Sequence, residues 1–384
     1  MKRSTERILT THAGSLARPA DLLDMMRAKE MGHPYDTDAF PARVKAAVAE
    51  AVRKQAEAGI DVISDGEQGK PGFANYVKDR LSGIEIREGA RPRAWSDLQD
   101  FPDFEPPEAG TFNARRMVCT GPMAWKDKNA VQTDIQNFKA AFQTPAISAE
   151  ITEAFMPAVS PGTLAQNVIN DHFKDEEAFL LAAADVMRDE YQAIAGAGLL
   201  LQIDSPDLAM GRNVQYPDKT MDEFRQIVSL RVEALNHALE GIPRDRIRHH
   251  ICWGNAEGPH HRDVELKDII DILLRVEAGA IYVEGANPRH GHEWRVFQQV
   301  KLPQDTIVIA GVIDTKTNFI EHPELVADRI MNYAQVLGRE NVIAGTDCGF
   351  GTSADRTRVA PSITWAKLQS QAEGARLASR RLWD

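Results

Sequence analysis

Residues 176–206 read EEAFLLAAADVMRDEYQAIAGAGLLLQIDSP, and this stretch decides the fold. Apolar residues recur at helical spacing over Glu176–Ala195, and two glycines then lead into the short apolar run Leu199–Ile203, which is typical of a buried strand. The polar residues Asp204 and Ser205 follow directly. The stretch therefore predicts a helix that leads into one strand of a parallel sheet.

The same alternation continues in both directions along the chain. Eight short apolar runs are predicted strands: Ile8–Thr11, Ile60–Ser64, Ala154–Val159, Leu199–Ile203, Arg248–Cys252, Ala280–Val283, Thr306–Ala310 and Val342–Ala344. Six amphipathic patterns are the clearest predicted helices: Ala39–Ala58, Glu176–Ala195, Met221–Leu239, Leu266–Val276, Pro323–Leu337 and Ser362–Arg380. Eight such units favour an α/β fold of the closed (β/α)₈ TIM barrel type over an open doubly wound sheet. No Gly-x-Gly-x-x-Gly follows the first strand, which weakens the open-sheet interpretation further.

One region interrupts the alternation of strand and helix. Residues Arg87–Pro107 are rich in proline and charge, and Ala114–Gly121 then reads as an extra strand. We therefore predict an insertion at about Ser82–Ala146 that decorates the barrel. Its apolar content is too thin for an independent core, so residues 1–384 are predicted to form a single domain.

The composition is that of a folded, water-soluble protein. Of its 384 residues, 43% are hydrophobic and 26% are charged, which provides enough apolar material for a large core. The net charge is −11 and no basic stripe is present, so nucleic acid and anionic membranes are poor partners. Small molecules are the expected partners, and formation of a homo-oligomer is left open.

Three cysteines occur, Cys119, Cys252 and Cys348, and they are too few and too far apart for a disulfide framework. We expect a reducing, cytoplasmic setting, because the sequence also lacks an export signal and a transmembrane segment. Cys119 lies in the predicted insertion and is interpreted as a structural thiol. The other two cysteines fall at predicted strand ends.

The C-terminal ends of the strands are where catalytic groups lie in a barrel of this type. His250 and Cys252 end the fifth predicted strand on one face, since alternate residues of a strand share a face. Glu284 ends the next strand and Cys348 follows the last one. Two thiolates, an imidazole and a carboxylate suit zinc. The alternative is that the cysteines are small buried hydrophobes and that His250 is a hydrogen-bonded core histidine.

Other polar residues at strand ends suit a substrate with the polar groups of an amino acid. Glu67 and Asp204 could clamp an ammonium group, or could instead cap helices. Gly14 and Ser15 could form a tight turn that offers backbone N–H groups to a carboxylate, or could be simply a turn.

The loops after the fifth and sixth strands contain histidines, at His260-His261 and His290-Gly291-His292. These side chains could bind metal or substrate, although loop histidines are mostly solvated. Arg289 and His290 are candidate contacts for an anionic substrate group. Five aromatic residues near the mouth could line a pocket or pack in the ordinary way: Phe73, Tyr76, Trp253, Trp294 and Phe350.

Seven short motifs follow one another along nearly the whole chain: Thr11-His12-Ala13-Gly14-Ser15, Asp65-Gly66-Glu67, Gln202-Ile203-Asp204-Ser205-Pro206, His250-Ile251-Cys252, Ile281-Tyr282-Val283-Glu284, Gly311-Val312-Ile313-Asp314 and Asp347-Cys348-Gly349. In their kind and order the chain resembles the catalytic C-terminal barrel of the cobalamin-independent methionine synthases. It is most similar to the short, core-type relatives, which have one barrel. The joint match is far more specific than any single motif.

This resemblance implies a mechanism as well as a fold. It implies zinc with four ligands: His250, Cys252, Glu284 and Cys348. An incoming thiol would bind the metal as a thiolate and attack an alkyl donor, since bound zinc deprotonates a thiol that stays nucleophilic. In the family, acidic residues that match Glu67 and Asp204 meet the amino group of homocysteine. Backbone that matches Gly14 and Ser15 meets its carboxylate.

Three positions depart from the family pattern. A tryptophan of the family's pterin site is matched by Asn167, and the glutamate after the position of Asp204 is matched by Ser205. The histidine expected as a proton donor after Asp314 is matched by Lys316, which is a weaker acid at neutral pH unless burial lowers its pKa. The acceptor half of the site is thus retained and the donor half is rebuilt.

These matches give two sets of candidate residues besides the zinc ligands and the thiol contacts. The candidate catalytic residues are Asp314 and Lys316. The candidate donor pocket consists of five residues: Asn167, Ser205, Trp253, Arg289 and His290.

Three functions are compatible with the sequence. The resemblance implies a zinc-dependent S-methyltransferase of methionine biosynthesis, with 5-methyltetrahydrofolate or a simpler donor and homocysteine or a similar thiol as acceptor. A second hypothesis is thiol addition to an epoxide, as in the related epoxyalkane:coenzyme M transferases, with Lys316 near the epoxide oxygen. Glu67 and Asp204 argue against the sulfonate of coenzyme M. A third hypothesis is a metal-free barrel that binds an amino acid without transforming it.

Overall fold

The computed structural model describes residues 1–89, 95–105 and 115–384, and these residues form a barrel of parallel strands surrounded by helices. In chain order the strands are β1 Leu9–Thr10, β2 Val62–Ile63, β3 Leu81–Glu88, β4 Arg115–Trp125, β5 Glu153–Val159, β6 Val168–Asn170, β7 Leu200–Asp204, β8 Ile247–His250, β9 Ala280–Val283, β10 Ile307–Ile313 and β11 Val342–Thr346.

Eight of these strands pair in parallel in the order β1-β11-β10-β9-β8-β7-β5-β2. A further parallel bridge between Thr11 and Val62 joins β1 to β2, the two ends of that order, and so closes the sheet. Strands that neighbour each other in the barrel follow one another along the chain, as expected for successive βα units. The predicted (β/α)₈ TIM barrel is therefore confirmed.

Helices of very different length surround the barrel. In chain order they are α1 Ala20–Met31, α2 Ala39–Glu57, α3 Val77–Arg80, α4 Asn129–Phe142, α5 Pro145–Ser148, α6 Pro161–Asn167, α7 Glu176–Gly196, α8 Gly211–Val214, α9 Met221–Leu239, α10 Ile270–Leu273, α11 Pro323–Leu337 and α12 Pro361–Trp383. Within the described ranges, none of these helices is both long and apolar enough to cross a membrane.

The unit formed by α7 and β7 shows how the sequence places polar groups at the barrel mouth. The Asp175 side chain accepts a hydrogen bond from Ala178 N at 2.8 Å and begins α7. The hydroxyl group of Tyr191 on the buried face of α7 donates to Val159 O at 2.6 Å, which fastens the helix to β5. Strand β7 is buried throughout and ends at Asp204. Its C-terminal end therefore carries a carboxylate into the mouth.

The predicted insertion contributes two of the three strands of a small separate sheet. Strands β3 and β4 form an antiparallel hairpin, and β6 pairs with β4 in parallel. The predicted extra strand lies in β4 except for Ala114, which is outside the described residues. Helix α4 also falls in the predicted range, but it packs against α2 and α7 in the outer layer of the barrel. The single-domain organisation stays a prediction.

Two predicted elements differ from the observed ones. Strand β8 ends at His250, so Cys252 lies beyond it, because the chain turns at Gly254 with a φ of 106°. The predicted helix Leu266–Val276 is a 3-10 turn at Leu266–Asp268 followed by the short α10. The backbone of Ile269, with a φ of −130°, separates the two. An apolar periodicity alone could not indicate that break.

Candidate active site

A small cavity of about 60 Å³ lies at the mouth of the barrel, where the C-terminal ends of the strands meet. It is lined by residues from five of the strand ends and the loops that follow them: Ala13, Ser15, Glu67, Phe73, Asp204, Pro206, Met210, His250, Cys252, Gly254, Asn255, Cys348, Gly349 and Thr352. Residues from both ends of the chain therefore meet in one place, and six of the predicted acceptor and metal residues are among them.

The two thiol groups of the site are in direct contact. Cys252 Sγ lies 3.4 Å from Cys348 Sγ and donates a hydrogen bond to it. Cys252 Sγ also accepts a hydrogen bond from Gly254 N at 3.2 Å, because the chain turns back over it. The bond between the thiols raises the pKa of Cys252 and lowers that of Cys348. Cys348 is therefore the thiol that loses its proton first.

The imidazole of His250 is held by one of its two nitrogens. Its Nδ1 lies 2.9 Å from Asp204 Oδ1, and Gln202 Nε2 donates to the same oxygen at 2.8 Å. Burial lowers the pKa of His250, but the hydrogen bond and charge of Asp204 outweigh it, so the pKa is raised overall. Its Nε2 is buried and has no hydrogen-bond partner among the described residues. An orphan nitrogen of this kind is what a metal ligand presents.

Both carboxylate oxygens of Glu284 have partners. Oε1 accepts a hydrogen bond from Trp253 N at 2.8 Å, and Oε2 accepts from Asn287 Nδ2 and Lys316 Nζ at 2.7 Å each. Burial raises the pKa of Glu284, but the charges of Lys316 and His290, together with the hydrogen bonds from Lys316 and Trp253 N, lower it overall. Glu284 is therefore an ionised carboxylate that is paired with an ammonium group.

The loop after β10 places Lys316. The Asp314 carboxylate accepts hydrogen bonds from Lys316 N and Thr317 N, at 3.0 Å each, and so shapes the turn. Burial lowers the pKa of Lys316, but the negative charge of Glu284 raises it above its usual range. Lys316 would be a useful acid at neutral pH only if burial lowered its pKa. The pKa is raised instead, so Lys316 does not meet this condition.

As they stand, no three His, Cys, Asp or Glu side chains in the described parts of the chain are grouped to hold a metal ion. Two contacts of these side chains differ from those of a zinc site. The thiol sulfurs are 3.4 Å apart, whereas sulfurs on a tetrahedral zinc with bonds of about 2.3 Å lie about 3.8 Å apart. Glu284 is turned to Lys316. The donor chemistry still fits zinc, since a small separation of the thiols and the orphan Nε2 of His250 would supply three ligands.

A second pair of carboxylates borders the cavity. The pKa of Glu67 is raised to about 7, chiefly by burial. The positive charge of Lys70 lowers this pKa, and the negative charge of Asp204 raises it. Glu67 Oε2 is buried without a partner among the described residues, and the residue has a φ of 53°. The site therefore contains an unsatisfied carboxyl group beside the thiols, which suits a positively charged ligand group.

Gly14 allows Glu67 to lie against the backbone. A Cβ atom at Gly14 would meet Glu67 Oε1 at 2.9 Å, and the φ of 127° also favours glycine. The N–H group of Gly14 donates to His12 Nδ1 at 3.1 Å, so it is engaged as it stands. Ser15 lines the cavity, and its carbonyl accepts from Phe350 N at 2.8 Å. That these two residues contact a substrate carboxylate stays a prediction.

A larger cavity of about 510 Å³ lies between the insertion and the barrel. Asn167 lines it, together with Trp95 of the insertion, and Met210 lines both this cavity and the small one. Five basic and two acidic side chains also border it: Lys29, Lys78, Arg115, Arg116, Arg356, Glu30 and Asp79. The cavity is thus more basic than the chain as a whole, whose net charge is −11.

The other candidate donor residues do not border this larger cavity. Ser205 is fully buried under the barrel mouth, and Trp253 is buried with its Nε1 donating to Val264 O at 2.6 Å. Arg289 Nη2 donates to His261 O at 3.2 Å in a loop. The buried ring of His290 lies 4.4 Å from that of Trp253. None of these four residues lines either of the two cavities.

The remaining aromatic and histidine candidates are spread widely. Phe73 lines the small cavity, whereas Tyr76 donates to Glu190 Oε2 at 3.1 Å in the core. His260 and His290 both contact Asp263, at 2.7 and 3.3 Å, and form a buried cluster behind the site. Trp294 and Phe350 pack against the core, and His261 pairs with Asp100 near the surface.

Asn255 and Trp95 are among the residues of the site that were not identified from sequence. Asn255 Nδ2 donates to Gly349 O at 2.8 Å, and its Oδ1 accepts from Thr315 at 3.0 Å, so it ties three loops together. Trp95 lies against Gly254, where a Cβ atom would come within 2.2 Å of the indole. Asn255 follows the His-x-Cys motif at a strand end, and this position could have indicated a place in the site. The sequence around Trp95 gives no such indication.

Comparisons with known proteins agree with this architecture. A family model described as the catalytic domain of cobalamin-independent synthase matches residues 161–367, which is more than half of the chain. A methionine synthase from Thermococcus kodakarensis is 23% identical over 375 residues, covering 97% of this chain and 94% of that protein.

Two further proteins extend the comparison. A 5-methyltetrahydropteroyltriglutamate–homocysteine methyltransferase from Thermosynechococcus vestitus is 25% identical over 352 residues, covering 89% of this chain and 40% of that protein. The structure of a B12-independent methionine synthase from Shewanella sp. W3-18-1 with selenomethionine superposes with a TM-score of 0.74. It is 20% identical and covers 98% of this chain and 99% of its own, which shows that the fold is shared.

Proposed function

Because the chain belongs to the cobalamin-independent synthase family of methyltransferases, we propose that it transfers a methyl group to the sulfur of homocysteine or a similar amino thiol. One observation carries this proposal. Two thiols and an orphan imidazole nitrogen converge in one small cavity with a pair of carboxylates. The thiols and the imidazole suit the activation of a sulfur atom. The carboxylates suit the ammonium group of an acceptor that carries this sulfur.

The acceptor is an amino thiol because of the charges at the small cavity. Glu67 and Asp204 would pair with its ammonium group, and the unsatisfied Glu67 Oε2 supports this assignment. The cavity volume of about 60 Å³ suits a short aliphatic chain. Asp204 has a second task, since it holds His250 by Nδ1 and so directs Nε2 away from itself.

The metal that these donors fit is zinc, with His250, Cys252 and Cys348 as the residues that would hold it. When bound, zinc would keep the substrate thiol deprotonated and nucleophilic at neutral pH. The protein itself orients the acceptor through Glu67 and Asp204. Burial of the site excludes water, which strengthens these charge interactions.

The donor would reach the sulfur from the larger cavity. That cavity meets the small one at Met210, and Asn167 and Trp95 border it. Its basic lining supports a donor with anionic groups. Asn167 stands where the family's pterin site has a tryptophan, so a pterin is not the only candidate donor. Both 5-methyltetrahydrofolate and simpler methyl donors are therefore candidates.

Methionine formation from homocysteine tests the proposal. The zinc-loaded protein is incubated with homocysteine and, in parallel, with 5-methyltetrahydrofolate, its triglutamate, S-methylmethionine or methylcobalamin. We expect methionine from at least one donor, and loss of the product in Cys252→Ala and Cys348→Ala. Cys119→Ala is the matched control, because that thiol is buried in the insertion and bonded to Gly121 O. Full activity of Cys252→Ala would contradict the proposal.

Epoxide opening by coenzyme M is the other thiol chemistry considered, and the contacts do not favour it. Lys316 is paired with Glu284 and its pKa is raised, so it is poorly suited to protonate an epoxide oxygen. The small cavity carries carboxylates where a sulfonate would lie. Turnover of epoxypropane with coenzyme M in the same assay would favour that reaction instead.

A further inference from the structure

Arg18 is a buried arginine in the loop between β1 and α1. Only 4% of it is exposed, so bonds within the protein must offset the cost of removing its charge from water. Its guanidinium donates to three backbone carbonyls: Nη1 to Gly351 O at 2.6 Å, and Nη2 to Glu67 O at 2.9 Å and Lys70 O at 2.7 Å. Arg18 therefore joins the backbone of two loops, the one after β2 and the one after β11.

The loop after β2 carries Glu67 in a strained conformation. The φ of Glu67 is 53°, in the left-handed region that a residue other than glycine adopts at a cost. Its N–H group donates to Asp65 Oδ1 at 3.0 Å, and its carbonyl accepts from Lys70 N at 3.1 Å as well as from Arg18. These bonds stabilise the conformation in which Glu67 lines the small cavity.

The loop after β11 follows Cys348. A Cβ atom at Gly351 would lie 3.1 Å from Arg18 Nη1, so a residue without a side chain lets the guanidinium approach the backbone here. The same two loops share two backbone bonds, from Phe73 N to Thr352 O at 3.3 Å and from Ala354 N to Pro71 O at 2.8 Å. Backbone contacts therefore hold Glu67 and the loop after Cys348 in a fixed relation, and these contacts do not depend on what the thiols bind.

The charge of Arg18 also suits its place. Burial lowers the pKa of Arg18, and the negative charges of Glu67 and Asp65 offset this in part. The guanidinium thus bonds to the carbonyl of Glu67 and also interacts through space with its carboxylate. A neighbouring cation favours the ionised carboxylate, which is the form that pairs with an ammonium group.

We propose that Arg18 is a positioning residue for the amino thiol. Its guanidinium fixes the backbone of Glu67 relative to the loop after Cys348, and so sets where the ammonium group of the acceptor lies relative to its sulfur. In this role Arg18 acts through Glu67 and does not itself contact the acceptor. The inference rests on the proposed function, in which Glu67 pairs with that ammonium group.

A double-mutant cycle on methionine binding tests this inference. Dissociation constants are measured by calorimetry for the wild type, Arg18→Met, Glu67→Gln and the double variant. The pH is about 8, where Glu67 is mostly ionised, since its pKa is about 7. We expect Arg18→Met to weaken binding about tenfold or more, because Glu67 loses its fixed place. The double variant should stay within about threefold of Glu67→Gln, because Arg18 acts through Glu67.

A second ligand separates positioning from general damage to the site. Methylthiobutanoate is methionine without its amino group, so it makes no ammonium contact with Glu67. Its affinity should differ by less than about threefold between the wild type and Arg18→Met. Arg18→Lys keeps the charge and part of the bonding, so it should recover part of the methionine affinity. Arg18→Lys also carries the test if circular dichroism shows that Arg18→Met is not folded.

The matched control is Arg244→Met. Arg244 precedes β8 and so lies at the opposite end of the barrel from the mouth. Its guanidinium donates to Gln304 O at 3.0 Å and to Thr306 Oγ1 at 2.8 Å. Loss of these bonds should leave the affinity for methionine equal to that of the wild type.

The outcomes separate the inference from the proposed function. Equal losses for methionine and methylthiobutanoate in Arg18→Met would show a structural role alone and overturn the inference, as would an unchanged methionine affinity. A double variant that binds methionine much more weakly than Glu67→Gln would also overturn it, since Arg18 would then act by another route. If the wild type binds methionine no better than Glu67→Gln does, the amino-thiol assignment of the proposed function is wrong, and the inference fails with it.

Discussion

Glu67 is a single residue whose charge changes near neutral pH. Its pKa is raised to about 7, chiefly by burial, so the carboxylate form is present above this pH and is lost below it. We predict that methionine, which has the amino and carboxyl groups of the acceptor but no thiol, binds more weakly as the pH falls. Calorimetry from about pH 5.5 to 8.5 should show a limiting slope of about tenfold per pH unit.

The control for this prediction is Glu67→Gln. The variant cannot gain the carboxylate charge, so its methionine affinity should be weak and nearly constant across the same pH range. If the variant and the wild type showed the same affinity and the same pH profile, Glu67 would have no part in holding the ammonium group.

His290 is a residue whose charge should stabilise the fold. Burial lowers its pKa, but hydrogen bonds to Asp263 and Glu293 outweigh burial and raise it to about 9, against 6.5 for a free imidazole. A raised pKa means that the stabilisation is complete below pH 6.5 and is lost as the pH rises through about 9. The difference corresponds to about 3 kcal/mol at most.

Urea unfolding of His290→Gln tests this charge effect. We predict that the variant lowers the free energy of unfolding more at about pH 6 than at about pH 9.5, because only the protonated ring gains from both carboxylates. His261→Gln is the control, since this histidine pairs with Asp100 near the surface, where ion pairs contribute about 0–1 kcal/mol. An equal loss at both pH values in His290→Gln would show that the ring contributes packing alone.

At the same scale, the sequence predicts well which side chains reach the mouth of the barrel. It predicts poorly which of these side chains form hydrogen bonds with one another. His250, Cys252 and Cys348 converge as expected from their places at strand ends. The bonds of Asp204 to His250 and of Lys316 to Glu284 were not predicted. Such pairings depend on side-chain rotamers and on the path of loops, which strand periodicity does not contain.

At the scale of elements, the segment of the insertion from Trp95 to Glu105 is docked on the barrel by several contacts, and the side chain of Asn213 accepts three hydrogen bonds from it. Asn213 Oδ1 accepts hydrogen bonds from Ser96 N, Ser96 Oγ and Asp97 N at 2.9, 2.8 and 3.3 Å. We predict that Asn213→Ala loosens this segment and lowers stability by about 1–3 kcal/mol, because buried donors lose their acceptor. Hydrogen exchange in residues 95–101 should rise strongly.

The matched control is Asn236→Ala, which removes a half-buried asparagine of α9 that donates to Arg275 O and accepts from Glu277 N, both far from the insertion. It should leave exchange in the insertion unchanged. Since Trp95 borders the larger cavity, Asn213→Ala should also raise the KM for the methyl donor more than that for homocysteine. An unaltered exchange rate in residues 95–101 would show that the segment is held by other contacts.

Long, strongly periodic elements were predicted well and short ones poorly. α9 and α11 have the predicted bounds, Met221–Leu239 and Pro323–Leu337, because each has a clear apolar face and a distinct start. The short strand β6 and the strand β3, whose second half is mostly exposed, were missed. The 14-residue helix α4 was missed as well and is an exception to this rule. The apolar pattern over Leu266–Val276 also does not reveal the break at Ile269.

At the scale of the whole molecule, the barrel follows from the count and order of the strands. Eight predicted strands match the eight that close the sheet, and helices separate most of them. The closure itself depends on contacts between Thr11 and Val62, which a local pattern cannot show. The basic cavity of an acidic chain likewise arises only on folding, when residues from α1, β4 and the last loop meet.

The central claim is that this barrel activates a thiol on zinc held by His250, Cys252 and Cys348. Zinc content together with zinc-edge X-ray absorption, before and after addition of homocysteine, tests it most directly. We predict about one zinc per chain with two sulfur ligands, rising to three sulfurs when homocysteine is added. A protein without zinc, or a metal whose sulfur count does not change with homocysteine, would contradict the account.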